Sequence, residues 1–296
     1  MFKAVLLTTL TATLMATQAG AQDLAGTLKK IKETGTINIG HRESSIPFSY
    51  LDDKQQPIGY AMDLCMKVVD AVKAELKLPA LKVALQPVTS SNRIPLLQNG
   101  TIDLECGSTT NSVARQQQVA FGPTYFVINV TAAVKKTSGI NSLAELNGKN
   151  ISTTSGTTAV PLLKGYEKTK SVDVKEIYGK DHAESFLLMA DDRAVAFVMD
   201  DILLAGQIAN SKTPGAYKIL NESLRQEPYS MMLRKDDPQF KSLVDKTISG
   251  VMKSGEIEKI YAKWFTSPVP PKGINLKFQQ TAPLKDAFKT PNDKGV

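Results

Sequence analysis

Cysteine is nearly absent from this 296-residue chain: there are two, too few for a disulfide-dense scaffold or a thiolate metal cluster. Histidine also numbers two, and neither stands in a short group of thiols or carboxylates with zinc spacing, so no all-protein metal site is expected. There is no Gly-x-Ser-x-Gly nucleophile elbow and no complete Gly-x-x-x-x-Gly-Lys-Ser/Thr phosphate loop, which removes the main sequence arguments for a serine hydrolase or a nucleotide binder. Lys and Arg outnumber Asp and Glu by 36 to 29, a formal charge of +7, but they come in ones and twos. A nucleic-acid surface would need a patch that this distribution lacks. After residue 21 no apolar run is long enough to cross a bilayer.

What the chain does have is material for cores. Hydrophobic residues make up 42% and charged residues 22%, with Gly and Pro scattered, a composition that folds rather than staying disordered. The length suits one large domain or two of ordinary size.

The first 21 residues stand apart. Lys3 gives a short positive region, Ala4–Met15 is mainly apolar, and Ala19-Gly20-Ala21 has the small-x-small pattern of a processing site. This reads as an export signal (residues 1–21), with the mature protein starting at Gln22 and its formal charge reduced to +6 by the loss of Lys3. The expectation is a soluble product outside the cytoplasm. Cys65 and Cys106 survive processing and leave one possible intramolecular disulfide in an oxidising compartment; two reduced core cysteines are the alternative. Neither lies close enough to the cleavage point to carry a lipid.

Along the mature chain, Ile37 and Ile39 alternate toward a core in a strand over Thr36–Arg42, which ends in the polar run His41-Arg42-Glu43-Ser44-Ser45. Leu64, Cys65, Val68, Val69, Val72 and Leu76 make one helical stripe over Ala61–Leu76. Val83, Leu85 and Pro87 mark a short strand, confined to an edge or an end by its proline. Asn92 is placed to cap a short helix that Gly100 ends. Ile102, Leu104 and Cys106 then alternate with Asp103 and Glu105, before Gly107-Ser108-Thr109-Thr110-Asn111 turns into a polar helix with Arg115. This alternation of strands and helices predicts an α/β unit with a mostly parallel sheet and ligands at its strand ends.

An apolar strand over Thr124–Val134 leads into a second α/β series. It comprises strands at Asn150–Thr154, Val172–Ile177 and Ala194–Met199, with helices at Thr157–Lys168, Asp181–Ala190 and Ile202–Ala209. Tyr229–Leu233 reads as a strand, and Phe240, Leu243, Val244, Thr247, Ile248 and Val251 stripe a helix after Pro238. Trp264 and Phe265 read as core or interface residues, and the tail from Ser267 is expected to pack over the first unit. The unit changes fall near residues 128 and 224, giving a first lobe of 22–128 plus 224–296 and a second of 129–223.

Gln56-Pro57-Ile58-Gly59-Tyr60-Ala61-Met62-Asp63-Leu64, Asn99-Gly100-Thr101-Ile102-Asp103, and Gly107-Ser108-Thr109-Thr110 through Arg115 resemble the periplasmic binding proteins for polar amino acids. With His41-Arg42-Glu43-Ser44-Ser45, Arg93 and His182, the resemblance is to the branch that takes glutamate and aspartate for bacterial ABC importers. It covers almost all of the mature chain. It implies a type II two-lobe α/β fold with the second lobe inserted in the first, two crossing strands, and closure over a ligand. It also implies a periplasmic monomer that hands an amino acid to an integral-membrane permease, without a cofactor.

On that reading the roles follow from the chemistry of an acidic amino acid. Arg115, Thr110 and Ser108 suit the α-carboxylate, with an N–H or hydroxyl of Thr158 from the second lobe. The resemblance selects Asp200 for the ammonium, with Asp201 as a competitor that could instead cap the next helix. Arg42, Arg93 and His182 surround the distal carboxylate, and Ser90 adds a hydroxyl. His41 reads as an inter-lobe or supporting residue. The alternatives are a secreted dehydratase or lyase on the same scaffold, with an acidic group and His182 exchanging protons, and a chemoreceptor adaptor that binds without delivering.

Overall fold

Thr36–His41 forms the second strand of a five-stranded sheet in the computed structural model, which describes residues 23–296. The expected export segment lies outside the described residues. The sheet runs in the order Lys82–Pro87, Thr36–His41, Leu104–Cys106, Met232–Leu233 and Ala120–Phe121. Its first three strands are parallel and Met232–Leu233 runs against its neighbours. Pro87 accordingly ends an edge strand, where its missing N–H costs no ladder bond.

The helix Tyr60–Leu76 buries the expected stripe of Leu64, Cys65, Val68, Val69, Val72 and Leu76. It also packs against Pro238–Lys253, whose inward face is Phe240, Val244, Ile248 and Val251. Asp237 caps this second helix by accepting from Phe240 N–H at 3.3 Å, and Pro238 occupies the first turn, where its lack of an N–H is harmless. Cys65 and Cys106 form a disulfide across a Cα separation of 6.0 Å, fastening the Tyr60–Leu76 helix to the central strand.

Asp103, just before the third of the five strands, and Glu105, within it, are both fully buried. Asp103 is paired there with Lys30 and Arg234. Asn92 does not cap its helix; its Oδ1 instead accepts from Thr89 N–H at 2.8 Å. The predicted strand Tyr229–Leu233 is two, Arg225–Tyr229 and Met232–Leu233, which belong to different sheets.

The second sheet runs Lys175–Gly179, Asn150–Thr154, Ala196–Asp200, Phe126–Lys135 and Tyr217–Ile219, with Arg225–Tyr229 also on Phe126–Lys135. The ten-residue strand Phe126–Lys135 serves two purposes. Val130–Val134 pairs with Ala196–Asp200, whereas Phe126–Val130 pairs antiparallel with Arg225–Tyr229. These two segments are the crossings between the lobes. Their first-lobe end is fixed by aromatics: Phe48 lies edge-on to Phe126 at 4.9 Å and to Tyr229 at 5.2 Å, and Phe265 stacks on Phe126 at 4.7 Å. Such pairs contribute roughly 0.5–1.5 kcal/mol each beyond area burial.

The tail packs as follows. Tyr50 donates to the Pro270 carbonyl at 2.7 Å, and helix Ala282–Lys289 packs against Pro238–Lys253. The final residues return to the Arg115 segment, where Val113 N–H donates to Val296 O at 2.9 Å and Asn111 Nδ2 donates to Asp293 O at 2.8 Å.

Candidate functional site

Two arginines approach the cleft from the strand ends of the first lobe. Arg42 follows strand Thr36–His41 and is held by Ser49, whose Oγ accepts the Arg42 N–H at 2.8 Å. Its side chain passes Gly107 so closely that a Cβ there would lie 2.8 Å from Arg42 Cγ and 2.4 Å from Glu105 Oε1, so a larger residue would displace both side chains. Both terminal guanidinium nitrogens of Arg42 are buried with no hydrogen-bond partner among the described residues. Burial, then the charge of Arg93, pulls the Arg42 pKa down to about 10.

Arg93 opens the helix Arg93–Gln98 and is half committed. Its Nη1 donates to Thr109 Oγ1 at 2.5 Å and lies 3.8 Å from Glu105 Oε1, while Thr109 donates to Glu105 Oε2 at 2.5 Å. Arg93 Nε and Ser90 Oγ are buried and unpaired among the described residues. Ser108 donates to Ser45 Oγ at 3.2 Å, within the polar run after the first strand.

His182 faces these arginines from the second lobe. It starts the helix His182–Ala190, which Asp181 caps by accepting from Glu184 N–H at 2.9 Å. Its Nδ1 is 3.1 Å from Thr154 Oγ1, and its Nε2 is buried without a partner among the described residues. Burial, followed by Arg42 and Arg93, holds its pKa well below the usual histidine range, so the ring is neutral at physiological pH.

Arg115 sits in the short helix Val113–Gln116, whose first residue follows the cap Ser112. Its Nη1 donates to Thr110 O at 2.9 Å and its Nη2 crosses to Gly156 O of the second lobe at 3.1 Å. Thr110 and Thr158 approach from opposite lobes, with their hydroxyl oxygens 3.5 Å apart. Burial, then Arg93, pulls the Arg115 pKa down to about 10.

Asp200 is the last residue of strand Ala196–Asp200, which runs one residue past its predicted end at Met199. Tyr229 donates its hydroxyl proton to Asp200 from the crossing strand. Burial, then the charge of Glu227, pushes the Asp200 carboxyl up to about 8. Asp201 is occupied elsewhere: it accepts from Asn129 Nδ2 at 3.1 Å and from Ile202 N–H at 2.7 Å. His41 is buried and its Nδ1 is turned to Arg42 O at 3.2 Å, so it supports the backbone of the arginine after it.

All nine residues singled out in the sequence are buried here: Arg42, Ser90, Arg93, Ser108, Thr110, Arg115, Thr158, His182 and Asp200. Apart from Ser108, which is bonded to Ser45, they fall into two groups. Arg42, Arg93, Ser90 and His182 present unpaired polar atoms, whereas Thr110, Thr158, Arg115 and Asp200 are tied to one another or to the crossing strand. Sequence reasoning missed Glu227 and Tyr229, because nothing local marks Arg225–Tyr229 as cleft-facing. Among the described residues no group of three or more His, Cys, Asp or Glu side chains has the arrangement of a metal site.

The lobes are in contact around these groups. Gln207 Nε2 donates to Ser44 O at 2.6 Å, and Gly156 lies against the backbone of Ser90 and Ser91. At Gly156 φ is +77° and a Cβ would fall 2.7 Å from Ser91 N and Cα, so only glycine permits this approach.

Residues 37–267 match the model of the bacterial extracellular solute-binding proteins, family 3. The chain is 50% identical over 290 residues to the L-glutamate/L-aspartate-binding protein of Pseudomonas aeruginosa, covering 98% of this chain and 96% of that protein. To the glutamate/aspartate import solute-binding protein of Escherichia coli it is 48% identical over 293 residues, 99% and 97% of the two chains. A crystal structure of the cysteine-binding protein from Campylobacter jejuni superposes with a TM-score of 0.70 at 27% identity, covering 80% of this chain and 92% of that one.

Proposed function

The chain belongs to the bacterial extracellular solute-binding proteins, family 3, and within that family we propose that it captures L-glutamate and L-aspartate between its lobes and delivers them to an ABC-type permease. The observation that carries this reading is the buried, unpartnered guanidinium end of Arg42, beside unpaired Arg93 Nε, Ser90 Oγ and His182 Nε2. A buried cation without a partner is costly. A carboxylate at the distal end of the ligand offsets that cost and matches the donors of Arg42, Arg93 and Ser90, whereas a carboxamide brings no charge.

The other end of the ligand is served by the second group of residues. Arg115, with backbone N–H groups of Ser108, Thr110 and Thr158, holds the α-carboxylate, and Asp200 accepts the ammonium. Because Arg115 and Asp200 belong to different lobes, one amino acid completes its charge pairs only in the closed arrangement. We place the protein in the periplasm as a monomer that binds without reaction. Neutral His182 and Asp200 are assigned to holding the substrate, which leaves neither as a separate base.

The test combines small-angle scattering of the processed protein, with and without saturating glutamate, and mass analysis of the recovered ligand. A more compact bound form and unchanged glutamate support the reading. An unchanged envelope at saturation removes the closure mechanism, and a dehydrated or cleaved product identifies an enzyme. Uptake by vesicles carrying a permease separates a transport component from a sensory adaptor.

A further inference from the structure

Glu227 lies on the crossing strand Arg225–Tyr229, is fully buried, and has no role in the ligand assignment above. Its Oε2 accepts the hydroxyl protons of Thr110 at 2.7 Å and Thr158 at 2.6 Å, one from each lobe. Its Oε1 accepts from Arg225 Nε at 3.0 Å and Nη2 at 2.5 Å. Every hydrogen bond to this carboxylate is therefore one in which it accepts, as an ionised carboxylate must.

The consequence lies with the two threonines. A hydroxyl has one proton to give. With that proton on Glu227, Thr110 and Thr158 offer only lone pairs to anything in the cleft. A ligand carboxylate also offers only lone pairs, whereas an ammonium offers three protons. The two hydroxyl oxygens thus match the amino end of the ligand, next to Asp200, and the α-carboxylate falls to Arg115 and backbone N–H groups.

Resting on the amino-acid reading above, we infer that Glu227 is a positioning residue that draws the protons of Thr110 and Thr158 to itself and thereby makes the cleft select a ligand ammonium. Substituting Glu227→Gln puts this to the test. With the amide oxygen kept on Arg225, its NH2 faces the threonines and must donate to them, which turns their protons toward the ligand's amino group. Glu227→Ala removes the acceptor altogether and leaves the hydroxyls free to rotate.

The experiment measures L-glutamate and L-2-hydroxyglutarate, in which a hydroxyl replaces the ammonium, by competitive displacement on the wild type and both variants. The preference for glutamate is expected to fall by about tenfold in Glu227→Gln, the scale of one or two lost charge-assisted hydrogen bonds, and by less in Glu227→Ala. Equal weakening of both ligands would assign Glu227 a purely structural role and overturn the inference, as would an unchanged preference. If Glu227→Gln does not fold, an unchanged preference in Glu227→Ala overturns it and a reduced one supports it. A wild type that binds neither compound removes the amino-acid reading and this inference with it.

Discussion

Arg115 of the first lobe donates through Nη2 to the carbonyl oxygen of Gly156 in the second, at 3.1 Å. The same glycine has a left-handed backbone against Ser91, so the contact that brings these lobes together depends on the absence of a side chain. Gly156→Ala is expected to weaken glutamate binding by at least about tenfold, since strain of roughly 1–2 kcal/mol adds to the clash with the Ser91 backbone. Scattering of the variant at saturating glutamate should show a less compact form than the wild type.

Asp200 gives a pH signature whose sign is fixed by its raised pKa. Between the ordinary value of 3.8 and about 8, the folded protein keeps a proton on Asp200 that the unfolded chain has released. Ligand-free stability should therefore fall as pH rises through that window and level off above it. Calorimetric unfolding across the window should show this contribution in the wild type and its loss in Asp200→Asn. Pairing with a ligand ammonium requires the ionised carboxylate, so glutamate binding near pH 6 should release a proton. Titrations in buffers of different ionisation enthalpy measure that release, which Asp200→Asn should abolish along with most of the affinity.

The Cys65–Cys106 disulfide closes a loop of sequence separation 41 within the first lobe. Replacing both cysteines by alanine is expected to lower unfolding stability by about 2–4 kcal/mol in denaturant titrations. Glutamate affinity, measured where the variant remains folded, should change by less than about threefold, because both cysteines are buried in the hydrophobic core.

The last residues of the chain brace the loop that presents Arg115, through Val296 to Val113, Asp293 to Asn111 and Gln116, and Asn292 to Thr124. Removing residues 292–296 should weaken glutamate binding by about fivefold while lowering the melting temperature only a few degrees. A titration and an unfolding scan on the same truncated protein check both halves.

The legible parts of this molecule were those governed by local pattern. Asn150–Thr154 and the Leu64-to-Leu76 stripe announce themselves by period, and Asp200 stands out as a carboxylate at a strand end. The alternation around Glu105 was legible but its burial was not, because a central strand covered on both faces buries both phases of a two-residue period. Glu227 was illegible for a different reason. Its hydroxyl partners lie 117 and 69 positions away in sequence, and only the crossing of the two strands brings them together. The end of the tail was equally opaque, since its partners are backbone groups that no side-chain pattern reveals.

The central claim is that buried, unpaired Arg42 and its neighbours recognise a second carboxylate. Calorimetric titration of the processed wild-type protein with L-glutamate and with L-glutamine tests it most directly, because the two ligands differ only in that distal group. The account predicts that glutamate binds more tightly by about 30-fold or more, from roughly 2–5 kcal/mol lost when a buried charge is left without its partner. Equal affinities for the two would contradict it.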